Sequence, residues 1–174
     1  MPRLALPSLP NALSLSRVVL AAAFLGAGGP GERIALVGAA SVTDFLDGWL
    51  ARRRHSVTRW GALIDPIADR VFVLTAVSTL LATGELTVGQ YFMLLARDIA
   101  TAIGFLVARV VPWLRAVQFK ARFLGKVVTV LQLAALAALL VAPRLAPMLI
   151  LAVGVSSAGA IADYTIALWH ARAR

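Results

Sequence analysis

Residues 44–69 read Asp44-Phe45-Leu46-Asp47-Gly48-Trp49-Leu50-Ala51-Arg52-Arg53-Arg54-His55-Ser56-Val57-Thr58-Arg59-Trp60-Gly61-Ala62-Leu63-Ile64-Asp65-Pro66-Ile67-Ala68-Asp69. Four aspartates stand in two apolar stretches on either side of a basic link that carries Arg52, Arg53, Arg54 and Arg59. Asp44 and Asp47 are three residues apart, Asp65 and Asp69 four apart. Pairs with these spacings share one face of a helix. The link is short, so the two helices are expected to be antiparallel neighbours. Both pairs then lie within about three helical turns of the link, at similar depth. The spacing therefore predicts four carboxylates converging on one point.

The surrounding composition makes that point a membrane site. The chain has 174 residues, enough for one domain, read here as a single membrane domain over 1–174. Hydrophobic residues make up 60%, the mean hydropathy is +0.86, and charged residues are 14%, against about 25% in ordinary soluble domains. Spanning a bilayer takes about 20 mostly apolar residues. Six segments fit: 13–27, 34–53, 60–83, 88–110, 123–141 and 147–170. Gly and Pro punctuate the links at 26–31, 83–87 and 142–147. The fold expected is all-α and polytopic, with six transmembrane helices. The first ten residues lack the basic start, apolar core and small-residue cleavage site of a secretory signal, so the first apolar stretch is read as a retained span. With no cysteine present, disulfides, zinc–thiolate sites and cysteine nucleophiles are excluded.

The net charge of +9 would suggest nucleic acid in a soluble chain. Here the hydropathy excludes that reading, and the basic residues collect at the ends of apolar segments. Beyond the link already named, Arg109, Arg115, Lys120, Arg122 and Lys126 crowd the link between the fourth and fifth segments, while three other links carry only Arg33 and Arg144. The positive-inside rule then places both termini in the cytoplasm, with the chain multi-pass in an inner membrane. Trp49, Trp60, Trp113 and Trp169 fall near the same face, as an interfacial aromatic belt would. His55 and His170 sit at that interface and are assigned no catalytic role.

Against this background the acidic residues are informative. Of eight, Glu32 and Glu85 fall in links, and the other six are Asp44, Asp47, Asp65, Asp69, Asp98 and Asp163, all within apolar segments. A central Asp costs roughly 2.5–3.5 kcal/mol on insertion scales, so four cost on the order of 10 kcal/mol. Leucine would pack equally well without that penalty. Bare carboxylates would repel and take up protons; two divalent cations would neutralise them, and all-oxygen donors suit Mg²⁺, Mn²⁺ or Ca²⁺ rather than zinc. Paired hard cations about 4 Å apart commonly serve in-line displacement at phosphorus. Gly48 and Gly61 allow close approach of a ligand, and Arg52 is placed to meet a phosphate from the cytoplasmic side.

At these residues the chain resembles the CDP-alcohol phosphotransferase family, whose signature is D-x-x-D-G-x-x-A-R, eight residues, then G-x-x-x-D-x-x-x-D. Asp44, Asp47, Gly48, Ala51, Arg52, Gly61, Asp65 and Asp69 meet every spacing. The resemblance implies that Asp44, Asp47 and Asp65 hold one divalent ion and Asp44, Asp65 and Asp69 a second, either Mg²⁺ or Mn²⁺. It also implies that Asp69 takes the proton from an acceptor hydroxyl that attacks CDP-diacylglycerol, releasing CMP. Asp47, Gly48, Ala51, Arg52, Thr58 and Gly61 would bind the CDP-diacylglycerol. The stretch from Pro10 to Arg17 is similar to the family's P-N-x-L-T-x-x-R opening, with Ser14 in place of Thr. It implies a short cytoplasmic interfacial helix that brings Asn11 close to the nucleotide. Likeness to the family also implies a homodimer set in membrane lipid.

The acceptor is read from later residues. The run from Trp60 to Arg70 and the run from Gly125 to Gln132 are similar to bacterial phosphatidylglycerophosphate synthases, although Val128 stands where their G-K-x-K-T pattern has its second Lys. Arg97-Asp98 replaces their R-E pair and is similar to the eukaryotic-type cardiolipin synthases of the same superfamily. Arg97, Arg115, Lys120, Arg122 and Lys126 are expected to present a phosphate site, with Thr129 and Gln132 on one face with Lys126. Glycerol 3-phosphate fits such a site, as does the phosphate of phosphatidylglycerol or an inositol phosphate. Asp163 is open between an ion pair and a supporting role. A cation transporter with intramembrane carboxylates is the non-enzymatic alternative; it would not require Gly and Arg at these spacings.

Overall fold

The computed structural model describes residues 9–54, 61–110 and 123–172, with the backbone alone described at 9–14, 47–54, 61–69, 105, 106, 108–110, 123 and 167–172. Regular structure among the described residues is entirely helical: α1 Leu9–Gly26, α2 Pro30–Arg54, α3 Gly61–Ala82, α4 Val88–Val110, α5 Phe123–Val141 and α6 Ala146–Arg172. The segment from Pro10 to Arg17, expected as a short interfacial helix leading into the first span, is helical and continuous with the rest of α1 to Gly26.

Local chemistry explains the boundaries. Pro30 opens α2, where its fixed φ and missing N–H cost nothing. Glu32 in the first turn accepts a hydrogen bond from the Gly28 N–H at 2.9 Å. After α3 comes Gly84, whose φ of 78° is a left-handed conformation that glycine adopts without a Cβ penalty. Thr87 and Gln90 then form a reciprocal capping box. The Gln90 N–H donates to Thr87 Oγ1 at 3.3 Å, and the Thr87 N–H donates to Gln90 Oε1 at 2.9 Å.

The helices pack as two compact units, Met1–Thr83 and Gly84–Arg174. In the first, α1 packs against both α2 and α3. Phe24 and Phe72, both fully buried, meet edge to face with centroids 6.0 Å apart. Arg33 of α2 lies over the outer part of this pair, 5.8 Å from the Phe24 centroid. In the second unit, α6 packs against α4 and α5. Its inner face carries Ile150, Val153 and Ala160, and Gly154 faces Met93 of α4. Small residues at helix contacts are the usual means of close packing in lipid, where hydrophobicity alone does not drive association.

The outer faces are apolar. Leu25, Phe45, Val130, Val141, Met148 and Val155 are each more than half exposed. Water-facing surfaces do not ordinarily gather such residues; acyl chains accept them without penalty. Among the described residues, Leu124–Val141 of α5 and Ala146–Ile166 of α6 are long and apolar enough to cross a membrane, and α1 and α3 contain the shorter apolar stretches Leu15–Gly26 and Arg70–Ala82.

Candidate functional site

Helix α2 carries Asp44 and Asp47, and Asp65 and Asp69 lie in the first part of α3, in the same unit. The side chains of Asp47, Arg52, Asp65 and Asp69, like that of Asn11 in α1, lie outside the described set, as do the surroundings of Gly48, Ala51 and Gly61. Thr58 lies outside the described residues altogether. Asp44 is described in full. One of its carboxylate oxygens lies 3.5 Å from Arg17 Nη2, with the arginine side chain 3% exposed and the aspartate 41%. The guanidinium is thus sunk between helices while the carboxylate keeps an open side. A buried cation is tolerated when paired and strongly unfavourable otherwise, so α1 and α2 are joined here by charge as well as by packing. Upstream, the Ser41 hydroxyl donates to the Val37 carbonyl and the Thr43 hydroxyl to that of Ala40, both at 2.8 Å, which satisfies them within the helix. Among the described residues no three acidic or His side chains form a metal-binding group. The donor chemistry of the motif, carboxylate oxygens only, with Asp44 half open, fits a hard divalent cation.

The second unit contains a different polar cluster, built from three helices. Arg97 Nη1 of α4 lies 3.4 Å from Thr129 Oγ1 of α5 and 3.6 Å from Asp98 Oδ1. Arg97 and Asp98 are 14% and 13% exposed. Gln132 of α5, buried, donates from its amide nitrogen to the Leu94 carbonyl at 2.6 Å and to Asp98 Oδ2 at 2.7 Å. Its amide hydrogens are therefore used within the fold, and they lock the Asp98 carboxylate. Arg97 Nε is buried without a hydrogen-bond partner. The guanidinium reaches Gly125 of α5: a Cβ built there would stand 2.6 Å from Arg97 Nη2 and 3.3 Å from Tyr164 Oη of α6.

The structure thus brings together three of the residues read as acceptor ligands: Arg97, Thr129 and Gln132. Lys126 follows Gly125 on α5 and is exposed, while Arg115, Lys120 and Arg122 lie outside the described residues. Three participants were not identified from sequence. Gly125 stood in the quoted Gly-Lys motif but offers no side-chain chemistry to notice. Tyr164 belongs to no motif, and the opening motif that contains Arg17 does not point to Asp44. Asp163, next to Tyr164 on α6, is half-buried.

The family model for CDP-alcohol phosphatidyltransferase matches residues 7–164, across both units. A relative from Aquifex aeolicus, named CDP-diacylglycerol–glycerol-3-phosphate 3-phosphatidyltransferase, is 37% identical over 109 residues, covering 59% of this chain and 61% of the relative. A protein of the same name from Salmonella typhi is 32% identical over 148 residues, covering 79% of each chain. A Streptomyces coelicolor relative named cardiolipin synthase (CMP-forming) is 34% identical over 100 residues, covering 52% of this chain and 46% of the relative. The match thus spans about three-fifths of the Aquifex protein and under half of the Streptomyces one.

Proposed function

The chain belongs to the CDP-alcohol phosphatidyltransferase family, and from that premise we propose that it transfers the phosphatidyl group of CDP-diacylglycerol to glycerol 3-phosphate. The products are phosphatidylglycerophosphate and CMP. The observation that supports this most is the complete eight-position signature of Asp44, Asp47, Gly48, Ala51, Arg52, Gly61, Asp65 and Asp69, carried on α2 and α3 of one unit.

In this reading the first unit handles the nucleotide. Asp44, Asp47, Asp65 and Asp69 hold two divalent cations, Mg²⁺ or Mn²⁺. When bound, such ions supply positive charge to the diphosphate and to the oxygens that gain charge in displacement at phosphorus. Arg17 holds Asp44 from its buried side and leaves the other side open. Gly48, Ala51, Arg52 and Gly61 line the approach of the cytidine diphosphate, with Asn11, Asp47 and Thr58 as further contacts. Asp69 receives the proton as the acceptor hydroxyl attacks the β-phosphorus. The new P–O bond forms in line with the one that breaks, and CMP leaves with the former bridging oxygen.

The second unit handles the acceptor. Arg97 presents a guanidinium that its neighbours only partly satisfy, with long Nη1 contacts of 3.4 Å to Thr129 and 3.6 Å to Asp98. A phosphate supplies the acceptor oxygens it lacks, and such charge-assisted bonds are roughly twice as strong as neutral ones. Thr129 and Lys126 flank it, and Arg115, Lys120 and Arg122 add positive field. The wider reading is a single domain of six membrane-crossing helices in an inner membrane, both termini cytoplasmic, paired as a homodimer. Its support is the hydropathy pattern, the Lys/Arg distribution and, for the dimer, family likeness.

A second reading, cardiolipin synthesis with phosphatidylglycerol as acceptor, has its own observation, the Arg97-Asp98 pair, and a relative so named. The mechanism is tested with Asp69→Asn. Loss of a general base lowers turnover by about 100-fold or more, so CMP release is expected to fall at least that far while binding of CDP-diacylglycerol persists. Full activity in this variant would remove Asp69 from the role.

A further inference from the structure

Two side-chain tips from two helices meet at Gly125 of a third. The Arg97 guanidinium comes from α4, the Tyr164 hydroxyl from α6, and the residue between them on α5 has no side chain. A Cβ at Gly125 would stand 2.6 Å from Arg97 Nη2 and 3.3 Å from Tyr164 Oη. The first distance is not tolerated between real atoms, so any larger residue displaces the guanidinium. Gly125 is also buried. No backbone atom is among the nearest atoms that a methyl would meet; the closest is the Arg97 guanidinium, and the Tyr164 hydroxyl follows at 3.3 Å. What it makes room for is the end of a flexible arginine.

The surroundings say what that arginine is held for. Its neighbour Asp98 is already engaged by Gln132, and its contact with Thr129 is long at 3.4 Å. Among the described residues the Tyr164 hydroxyl has no hydrogen-bond partner, so a phenolic donor stands beside a planar cation with donors to spare. We propose that Gly125 is a positioning residue that seats the Arg97 guanidinium, and that Tyr164 is a second donor to the same phosphate of the acceptor. Together they make the seat selective for a phosphomonoester over a neutral polyol. The proposal rests on the acceptor reading given above for Arg97 and adds residues from α5 and α6 to it.

The test uses full-length protein in detergent and measures binding of glycerol 3-phosphate by calorimetry without CDP-diacylglycerol, beside steady-state CMP release. Gly125→Ala is expected to keep the wild-type melting temperature within a few degrees, because the displaced group is the end of a flexible chain. It should weaken glycerol 3-phosphate binding about 10-fold, the equivalent of about 1.4 kcal/mol. KM for glycerol 3-phosphate should rise by a similar factor, with kcat and the KM for CDP-diacylglycerol within about two-fold. In an Arg97→Gln background the same Gly125→Ala change should have no further effect, the mark of two residues acting through one contact. Tyr164→Phe, which removes only the hydroxyl, should weaken binding about three- to ten-fold, as loss of one hydrogen bond of about 1 kcal/mol predicts, and it decides the matter if Gly125→Ala does not fold.

Unchanged binding in both variants, or additive effects of Gly125→Ala and Arg97→Gln, would overturn the proposal. Absence of glycerol 3-phosphate binding to the wild-type protein would do the same. Wild-type protein that binds glycerol 3-phosphate, with the variants weakened as expected, but releases no CMP would leave the seat standing and remove the transferase reading instead.

Discussion

Arg17 in the first unit and Arg97 in the second each sit beside an aspartate, but the two pairs are open on opposite sides. Arg17 is 3% exposed and its partner Asp44 is 41% exposed, so the anion faces outward. In the second pair both side chains are nearly buried, at 14% and 13%, and Gln132 closes the carboxylate of Asp98. There the anion is closed, and the contacts of the cation's Nη1 are long, 3.4 Å to Thr129 and 3.6 Å to Asp98. One unit offers a carboxylate and the other a guanidinium. That difference matches the needs of two substrates. A nucleotide diphosphate is handled through metal-bridged carboxylates, and an acceptor carrying its own phosphate is held by arginine.

The sharpest way to break the comparison is to treat the two aspartates alike. Asp44→Asn should reduce CMP release by about 100-fold or more and weaken Mn²⁺ binding, since it removes a charged oxygen donor from the reaction centre. Asp98→Asn should retain most of the maximal rate and act through acceptor affinity and thermal stability. Equal losses of rate and of Mn²⁺ binding in both variants would erase the distinction. Next in size is Arg97→Gln. Hydrogen bonds to charged groups contribute about 1.5–3 kcal/mol, so KM for glycerol 3-phosphate should rise about 10- to 100-fold with little change in KM for CDP-diacylglycerol. The smallest effect on chemistry is expected from Gln132→Leu. It leaves the Leu94 carbonyl and Asp98 without their amide donor, which should cost about 1–3 kcal/mol of stability. The result should be a lower melting temperature, with KM for the acceptor raised less than in Arg97→Gln.

Much of the architecture is written locally. The start of α4 at Val88 and the end of α5 at Val141 are the limits that the hydropathy pattern predicts. Their neighbourhood is punctuated by the Thr87–Gln90 capping box, by Gly84 and by the prolines after Val141, which act within a few residues. Helix α1 already includes Leu9, ahead of Leu13, and α2 begins at Pro30 rather than Ile34. An apolar window misses helical residues such as Asn11 and Glu32, even though Pro30 and Glu32 are ordinary helix-starting residues.

The site was legible to a lesser degree. The Asp44–Asp69 motif could be read because its spacing lies within adjacent helices. The links of Arg17 to Asp44, Gln132 to Leu94 and Asp98, and Arg97 to the space at Gly125 depend on how each helix is turned about its axis. Helices that are apolar on most faces carry little periodicity to fix that rotation. Tyr164 could not have been singled out, because a tyrosine near the end of an apolar segment usually serves as an interfacial anchor.

The central claim, that the Asp44–Asp69 motif drives phosphatidyl transfer to a phosphorylated alcohol, is tested most directly by CMP release. Purified protein is given CDP-diacylglycerol and Mg²⁺ or Mn²⁺, and each of glycerol 3-phosphate, phosphatidylglycerol and inositol phosphate is added in turn. The expected result is release that requires both the divalent ion and glycerol 3-phosphate, and that stops on chelation. No release with any of these acceptors from folded, metal-supplied protein would contradict the account.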